Sequence, residues 1–394
     1  VKAVTRRLDT DVDLLDAGEL LFERNRLGLA GRGEVCRIPI DEVDATFGSC
    51  DVDDEVGLPG CGPVAFGALP FDPDAPAELV LPREVWGRAD DGTRWHTRID
   101  QAGDIAGPEP GPATATRGRP AASRFRVEPS RPPDAWCALV EQATKAMADG
   151  PLRKVVLARE VVVTGDAAFD AGAVLARLRT TYPGCHLYRV DGFVGASPEL
   201  LVSRAGDIVR SHPMAGTAAR GGDPASDARL AASLLASTKD REEHQITIDM
   251  VHDTLLNWCS YVDYEAEPSI VPVANVQHLA TLVEGRLSQP APSILELVRA
   301  VHPTPAVCGS PRNLALDFIR AHEGFDRGPY AGAVGWVDGS GNGSFAVSLR
   351  CAVLDGPVAR IYAGNGIVAD SDPTTELAET RAKLQAMLST LVRP

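Results

Sequence analysis

The spacing of apolar residues changes period along the chain, and each change predicts an element. DAWCALVEQATKAMADG (134–150) carries apolar residues at helical spacing, opens at Asp134 as a cap and ends at Gly150, so it predicts a helix. LRKVVLAREVVVTG (152–165) is dense in β-branched residues and predicts a strand. AGAVLARLRTTYP (171–183) predicts a helix stopped by Pro183, and short strands follow from 185 to 217. SDARLAASLLAS (226–237) and the run from Asp240 to about Tyr261 return to the helical period. So do SILELVRAVHP (293–303) and NLALDFIRAHEG (313–324). AGAVGWVDG, GSFAVSLRCAVLD and ARIYAGNGIV predict three strands joined by Gly-rich turns. The last segment, DPTTELAETRAKLQAMLSTLV, is a helix with Asp372 as N-cap and Pro373 at its first position.

The first hundred residues mix short strand-like pieces with turns. GPVAFGALPFDPDAPAELVLP (62–82) predicts strand, Pro/Asp turn, strand. Residues 102–123 are rich in Ala, Gly and Pro and predict a flexible exposed loop. Residues 1–101 are read as the N-terminal portion of the same fold, and 124–394 as its catalytic core. Hairpin-like strand runs with inserted helices make an α+β architecture. The alternation is too irregular for a Rossmann fold or a TIM barrel, and no repeat is present.

Bulk properties narrow the function. Apolar residues are 44% and charged residues 24% of the 394, which suits a globular rather than a disordered chain. A net charge of −15 disfavours nucleic acid as a partner. It leaves room for a small anion held by a local basic cluster. The eight cysteines have no C-x-x-C pair, so no zinc or dithiol motif is predicted. No stretch approaches the ~18 apolar residues of a membrane span. The expectation is a cytoplasmic, monomeric protein without a membrane partner.

Several polar positions carry candidate chemistry, each beside a plainer reading. Asp240 and Glu243 share one helix face, as do Glu376 and Glu379, with Lys383 four residues on. If the two faces meet, their carboxylates suit a magnesium ion. Taken singly they are solvated helix faces, and Glu379–Lys383 is an ordinary i,i+4 pair. YAGNGIV (362–368) sets a turn-prone Gly-Asn-Gly in an apolar run, while SGNGS (340–344) reads as a hairpin turn. Arg350, within FAVSLRCAVL, either points to solvent or forks onto a carboxylate in a polar cavity. Lys154 and Glu199 are surface residues unless buried near each other, when they become a base and an acid. His278 and His302 adjoin apolar residues and read first as structural histidines. No phosphate-binding loop is present, which counts against a phosphotransferase.

KVVLARE, GASPELL, HPMAGTAAR, TKDREEHQ, VQHLAT, HPTPAVCGSP, GPYAGAVGW, FAVSLRCA, AGNGIV and SDPTTELAET occur in this order. The series resembles the chorismate-utilising enzymes, over roughly residues 130 to 394, with GALPFD (67–72) a weaker match upstream. The resemblance implies two packed antiparallel sheets flanked by helices, with the active site in a cleft beside them. It implies Lys154 as the base that activates water and Glu199 as the acid that protonates the departing C4 hydroxyl, with opposed pKa shifts. Glu243 and Glu379 would be the main Mg²⁺ ligands, assisted by Asp240 and Glu376. Gly216 and Thr217 would join the metal at the ring carboxylate of chorismate. Arg350 and Tyr330 would bind the enolpyruvyl carboxylate, with Gly364, Gly366 and Lys383 nearby and His278 beside the ring.

Within that family the lysine at the base position resembles the water users, and no glutaminase signature accompanies it, so no amidotransferase subunit is expected. HPTPAVCG resembles the isochorismate-forming group, with Ala306 where pyruvate-eliminating relatives tend to carry Thr. The expectation is isomerisation of chorismate to isochorismate, for siderophore or menaquinone biosynthesis. Salicylate formation and an anthranilate or aminodeoxychorismate synthase component are the alternatives. A binding-only relative is disfavoured, because every acid, base and metal position holds a competent residue.

Overall fold

The computed structural model describes residues 1–100, 122–274 and 276–392. Its frame is two large sheets face to face. Among the described residues one sheet has 13 strands, running from Phe125–Pro129 through Lys154–Gly165 and Val358–Ile367 to Lys2–Arg7 and Asp51–Asp54. The other has nine, with Gly343–Val347 near its centre, and a third has three, Met214–Ala219, Val276–Ala280 and Ser269–Val273. The expected α+β class and pair of packed sheets are present, with that small third sheet added. Pairing is antiparallel except between Lys2–Arg7 and Asp51–Asp54.

Alternation places the core on both faces of the larger sheet. Phe22, Leu29 and Tyr188 enter the layer between the sheets. Their neighbours Leu21, Ala30 and Leu187 face the helices Ala171–Thr181 and Pro373–Val392. Each such large side chain, fully buried, is worth about 1.5–3 kcal/mol of transfer free energy. Buried on both faces, these strands read as apolar runs without the alternation of half-exposed strands.

Most elements fall where the pattern puts them. The 62–82 stretch forms strands Val64–Leu69 and Glu78–Leu81, and Ser293 caps the helix Ile294–Val301 in a capping box with Glu296. Asp372 accepts from the Thr375 amide at 2.8 Å and starts the last helix. Four details differ. The helix Pro133–Asp149 begins one residue before Asp134, with Pro133 in its first turn, so Asp134 lies inside that turn and caps nothing. The helix predicted to about Tyr261 ends at Leu256. Cys259–Tyr264 instead pairs with Val283–Leu287, where aromatic and β-branched residues favour the sheet. Gly-Asn-Gly (364–366) lies inside an unbroken strand, Val358–Ile367. GSFAVSLRCAVLD is two strands in different sheets, Gly343–Val347 and Cys351–Asp355. The predicted 102–123 loop lies, as far as residue 121, outside the described residues.

Candidate active site

Two neighbouring chain segments cross from one large sheet to the other, and the site is built around them. Phe193–Ser197 belongs to the 13-stranded sheet and Leu200–Ala205 to the nine-stranded one, with Glu199 between. Gly343–Val347 and Cys351–Asp355 make the reverse crossing beside it, with Arg350 between. The crossings are tied together, for the Val347 amide donates to Glu199 O at 3.1 Å and the Ala196 amide to Arg350 O at 3.1 Å. Arg350 therefore lies outside any strand, between two that FAVSLRCAVL runs together. Its φ of +47° is a strained, left-handed backbone that the two crossings hold in place.

These crossings open into a cavity of ≈ 380 Å³, within the range of small-molecule sites. All the site residues implied by the family resemblance line it: Lys154, Glu199, Gly216, Thr217, Asp240, Glu243, His278, Ala306, Tyr330, Arg350, Gly364, Gly366, Glu376, Glu379 and Lys383. His302 does not. It is buried and bonds Phe71 O at 3.0 Å, the structural role its apolar surroundings suggest.

The two candidate proton carriers differ in surroundings. Glu199 is 3% exposed, and burial pushes its carboxyl up to about 8, against the lowering pull of the Met214 amide, Arg350 and Lys154. It is an acid that keeps its proton at neutral pH. Lys154 opens the strand Lys154–Gly165 and donates from Nζ to Glu243 Oε1 at 2.6 Å. Burial raises the Glu243 carboxyl, but Lys154, Lys383 and Lys239 together outweigh it, and the net shift is downward. Gly366, which pairs with Val156 two residues along the strand, stands beside the lysine side chain. A Cβ at 366 would stand 2.6 Å from Lys154 Cε and 3.7 Å from Glu243 Oε1, so only glycine leaves this pair its place.

A second group gathers at the left-handed arginine. Arg350 Nη2 lies 3.0 Å from His278 Nε2, and His278 Nδ1 lies 3.2 Å from Gly216 O and 3.1 Å from Thr217 Oγ1. Burial, then Arg350 and Lys383, lowers the imidazole to about 3, so it is neutral. Arginine only donates, so Nε2 accepts, and the proton sits on Nδ1, facing Gly216 O. Tyr330 is buried, stacks on Tyr362 at 5.0 Å, and turns its hydroxyl toward Gly364.

The carboxylates come from two helices, Thr238–Leu256 and Pro373–Val392. Glu243 is held by Lys154 and Glu379 by Lys383 at 2.8 Å. Glu376 accepts from Asn365 Nδ2 at 2.9 Å and Ser371 Oγ at 2.8 Å. Asp240 flanks Gly216. Among the described residues no three such groups converge on one point close enough to hold an ion. As a donor set, four carboxylates with no sulfur or imidazole fit a hard divalent cation. In this arrangement neighbouring cations and amides balance their charge.

Sequence reasoning missed Asn365, Ser371, Tyr362 and Lys239, all of which line the cavity. Asn365 is buried and links Glu376 to Lys383, whose Nζ donates to Asn365 Oδ1 at 2.7 Å. Its signal was an amide inside a strand-like apolar run, hidden by the turn propensity of Gly-Asn-Gly.

The model of the family described as chorismate binding enzyme matches residues 110–392. The chain belongs to the chorismate-binding enzymes. It is 37% identical to the isochorismate synthase DhbC of Bacillus subtilis over 83% of this chain and 80% of that protein. It is 36% identical to the isochorismate synthase EntC of Escherichia coli over 83% and 81%. In structure it is similar to MenF, the menaquinone-specific isochorismate synthase of Escherichia coli, with a TM-score of 0.84, 26% identity, and 99% and 94% of the two chains covered. Like other members of the chorismate-binding family, it has the mixed α+β frame with large antiparallel sheets. No helix of the described residues is long and apolar enough to cross a membrane.

Proposed function

We propose that the protein is an isochorismate synthase that uses Mg²⁺ and converts chorismate to isochorismate. The observation that carries this reading is the pairing, in one cavity, of a lysine with a buried acid that keeps its proton to about pH 8. Relatives named isochorismate synthases, matching most of their own length, support it.

The reaction adds water at C2, shifts the double bonds and expels the C4 hydroxyl. Water is a weak nucleophile and hydroxide a poor leaving group, so both ends need proton transfer. Lys154 takes the proton of the attacking water. Glu199 delivers its proton to the C4 oxygen, which departs as water, so the atoms balance as an isomerisation. Lys154 Nζ contacts Glu243, itself one of the carboxylates that would hold the metal, so one carboxylate couples base and metal ligand. Magnesium, when bound, supplies positive charge for the ring carboxylate. Glu243 and Glu379 would hold it, with Asp240 and Glu376 assisting. Gly216 and Thr217 face the same carboxylate. Arg350, kept in aim by neutral His278, takes the enolpyruvyl carboxylate with Tyr330, beside Lys383.

Product analysis of purified protein with chorismate and Mg²⁺ tests the reading, and isochorismate as the sole product is expected. Salicylate with equimolar pyruvate would place the chain among the pyruvate-eliminating members and remove the significance of Ala306. No turnover, even with ammonia supplied, would defeat the reading.

Two variants check the roles. Arg350→Lys loses the forked, charge-assisted contact, worth about 1.5–3 kcal/mol, so the KM for chorismate should rise roughly 10- to 100-fold. An unchanged KM would free Arg350 of that role. Gly366→Ala should leave the melting temperature nearly unchanged, because its Cβ meets the end of a flexible side chain. Lys154 must move aside, and a displacement near 1 Å should cost about 10²-fold in kcat. Full activity in a folded Gly366→Ala protein would show that the placement of Lys154 is immaterial.

A further inference from the structure

The edge of the Lys154 strand has a gap. On one side the strand Lys154–Gly165 pairs with Val358–Ile367 from Val155 to Thr164. On the other, Gly309–Ser310 covers Lys154 and Val155, and Phe125–Pro129 covers Val161 to Gly165. Between them, among the described residues, no strand runs alongside. Main-chain groups in a buried strand must still find partners. The Val156 amide donates to Cys308 O at 2.8 Å and Glu160 O accepts from the Ser130 amide at 3.1 Å, and side chains serve Val156 O and both main-chain groups of Ala158. Arg327 Nη2 donates to Val156 O at 2.7 Å, and the Ala158 amide donates to Glu323 Oε1 at 2.7 Å. Trp136 Nε1 donates to Ala158 O at 3.3 Å.

The pair that fills the gap is built for rigidity. Arg327 grips Glu323 through Nε at 2.6 Å and Nη2 at 2.7 Å, and the two side chains are 3% and 1% exposed. The guanidinium lies 4.1 Å from the centre of the Phe71 ring. Its Nη1 donates to Val307 O at 3.1 Å, next to Ala306, and its own carbonyl accepts from the Tyr330 amide at 3.0 Å. One planar fork therefore ties the lysine's strand to the Ala306 segment, and its backbone anchors the Tyr330 turn. A buried ion pair adds little net stability over an apolar replacement, but it fixes geometry.

We propose that the Glu323–Arg327 pair is a positioning device that sets where Lys154 and Ala306 stand relative to each other in the cavity. Neither residue lines the cavity, so both act through the backbone they hold. The inference rests on the proposed role of Lys154 as base.

The test uses the double variant Glu323→Leu/Arg327→Met, which removes both charges and leaves no unpaired ion, with Arg327→Lys beside it. Leu178→Ala, in the core on the far side of the sheet, controls for lost stability. The double variant is expected to stay folded and keep its KM within about threefold, while kcat falls roughly 30- to 100-fold, the scale of a misplacement near 1 Å. Arg327→Lys, which keeps the charge without the fork, should fall between. Amide hydrogen exchange across residues 154–160 should quicken in the double variant and not in Leu178→Ala. An unchanged kcat in the folded double variant overturns the proposal. So does an equal kcat loss in Leu178→Ala. If the wild-type protein leaves chorismate unchanged, the proposed function fails separately, and unchanged exchange across 154–160 then overturns the positioning role.

Discussion

Glu199→Gln is expected to lower kcat by about 10²–10⁴-fold, the usual weight of a general acid. The amide keeps the shape and can still donate a hydrogen bond, but it has no proton to give. In the wild type, kcat/KM should fall as the pH rises through about 8, where the buried carboxyl loses its proton. The variant's residual activity should lack that falling limb. The same carboxyl links to stability with a definite sign. Its folded pKa lies above the ordinary 4.5, so between 4.5 and about 8 the folded protein holds a proton that the unfolded chain has lost. Stability therefore falls with rising pH across that window. At about 1.36 kcal/mol per pH unit, the full loss by pH 9 is roughly 5 kcal/mol. Glutamine does not titrate, so the variant should resist urea better than the wild type at pH 9 and gain much less at pH 5. Identical pH dependence in the two proteins would mean that Glu199 is ionised in the free enzyme and cannot be the acid.

The sequence carried the identity of the cavity-lining residues better than their geometry. Local periodicity found the helices bearing Asp240, Glu243, Glu376 and Glu379, because i,i+3 spacing is a property of one helix. That the two helices face one cavity depends on how distant elements pack, and no local pattern contains it. Ten motifs in family order supplied it. Arg350 shows the limit from the other side. FAVSLRCAVL reads as one strand because both halves are apolar and β-prone. The break arises where Gly343–Val347 and Cys351–Asp355 join different sheets. The Glu323–Arg327 pair was invisible for a related reason. An i,i+4 Glu and Arg in FIRAHEGFDRG look like an exposed ion pair. Only the gap beside Val156 and Ala158 makes them buried partners of a strand distant in sequence.

Lys154→Ala is the companion case, with an expected fall in kcat of about 10²–10⁴-fold, since the attacking water loses its base. Stability should change little. The variant leaves Glu243 without its lysine, but that carboxylate is about one-third exposed and water can solvate it. Affinity for chorismate should persist, because Arg350, Tyr330 and Lys383 reach the cavity from other elements. The diagnostic reading is again the pH profile. Lys154→Ala should keep the falling limb of Glu199 near pH 8, which Glu199→Gln should lose, so the two rate losses would be assigned to different groups. A Lys154→Ala protein that turns over at the wild-type rate would sink the base assignment and with it the positioning role of Arg327. The buried acid Glu199 would stand.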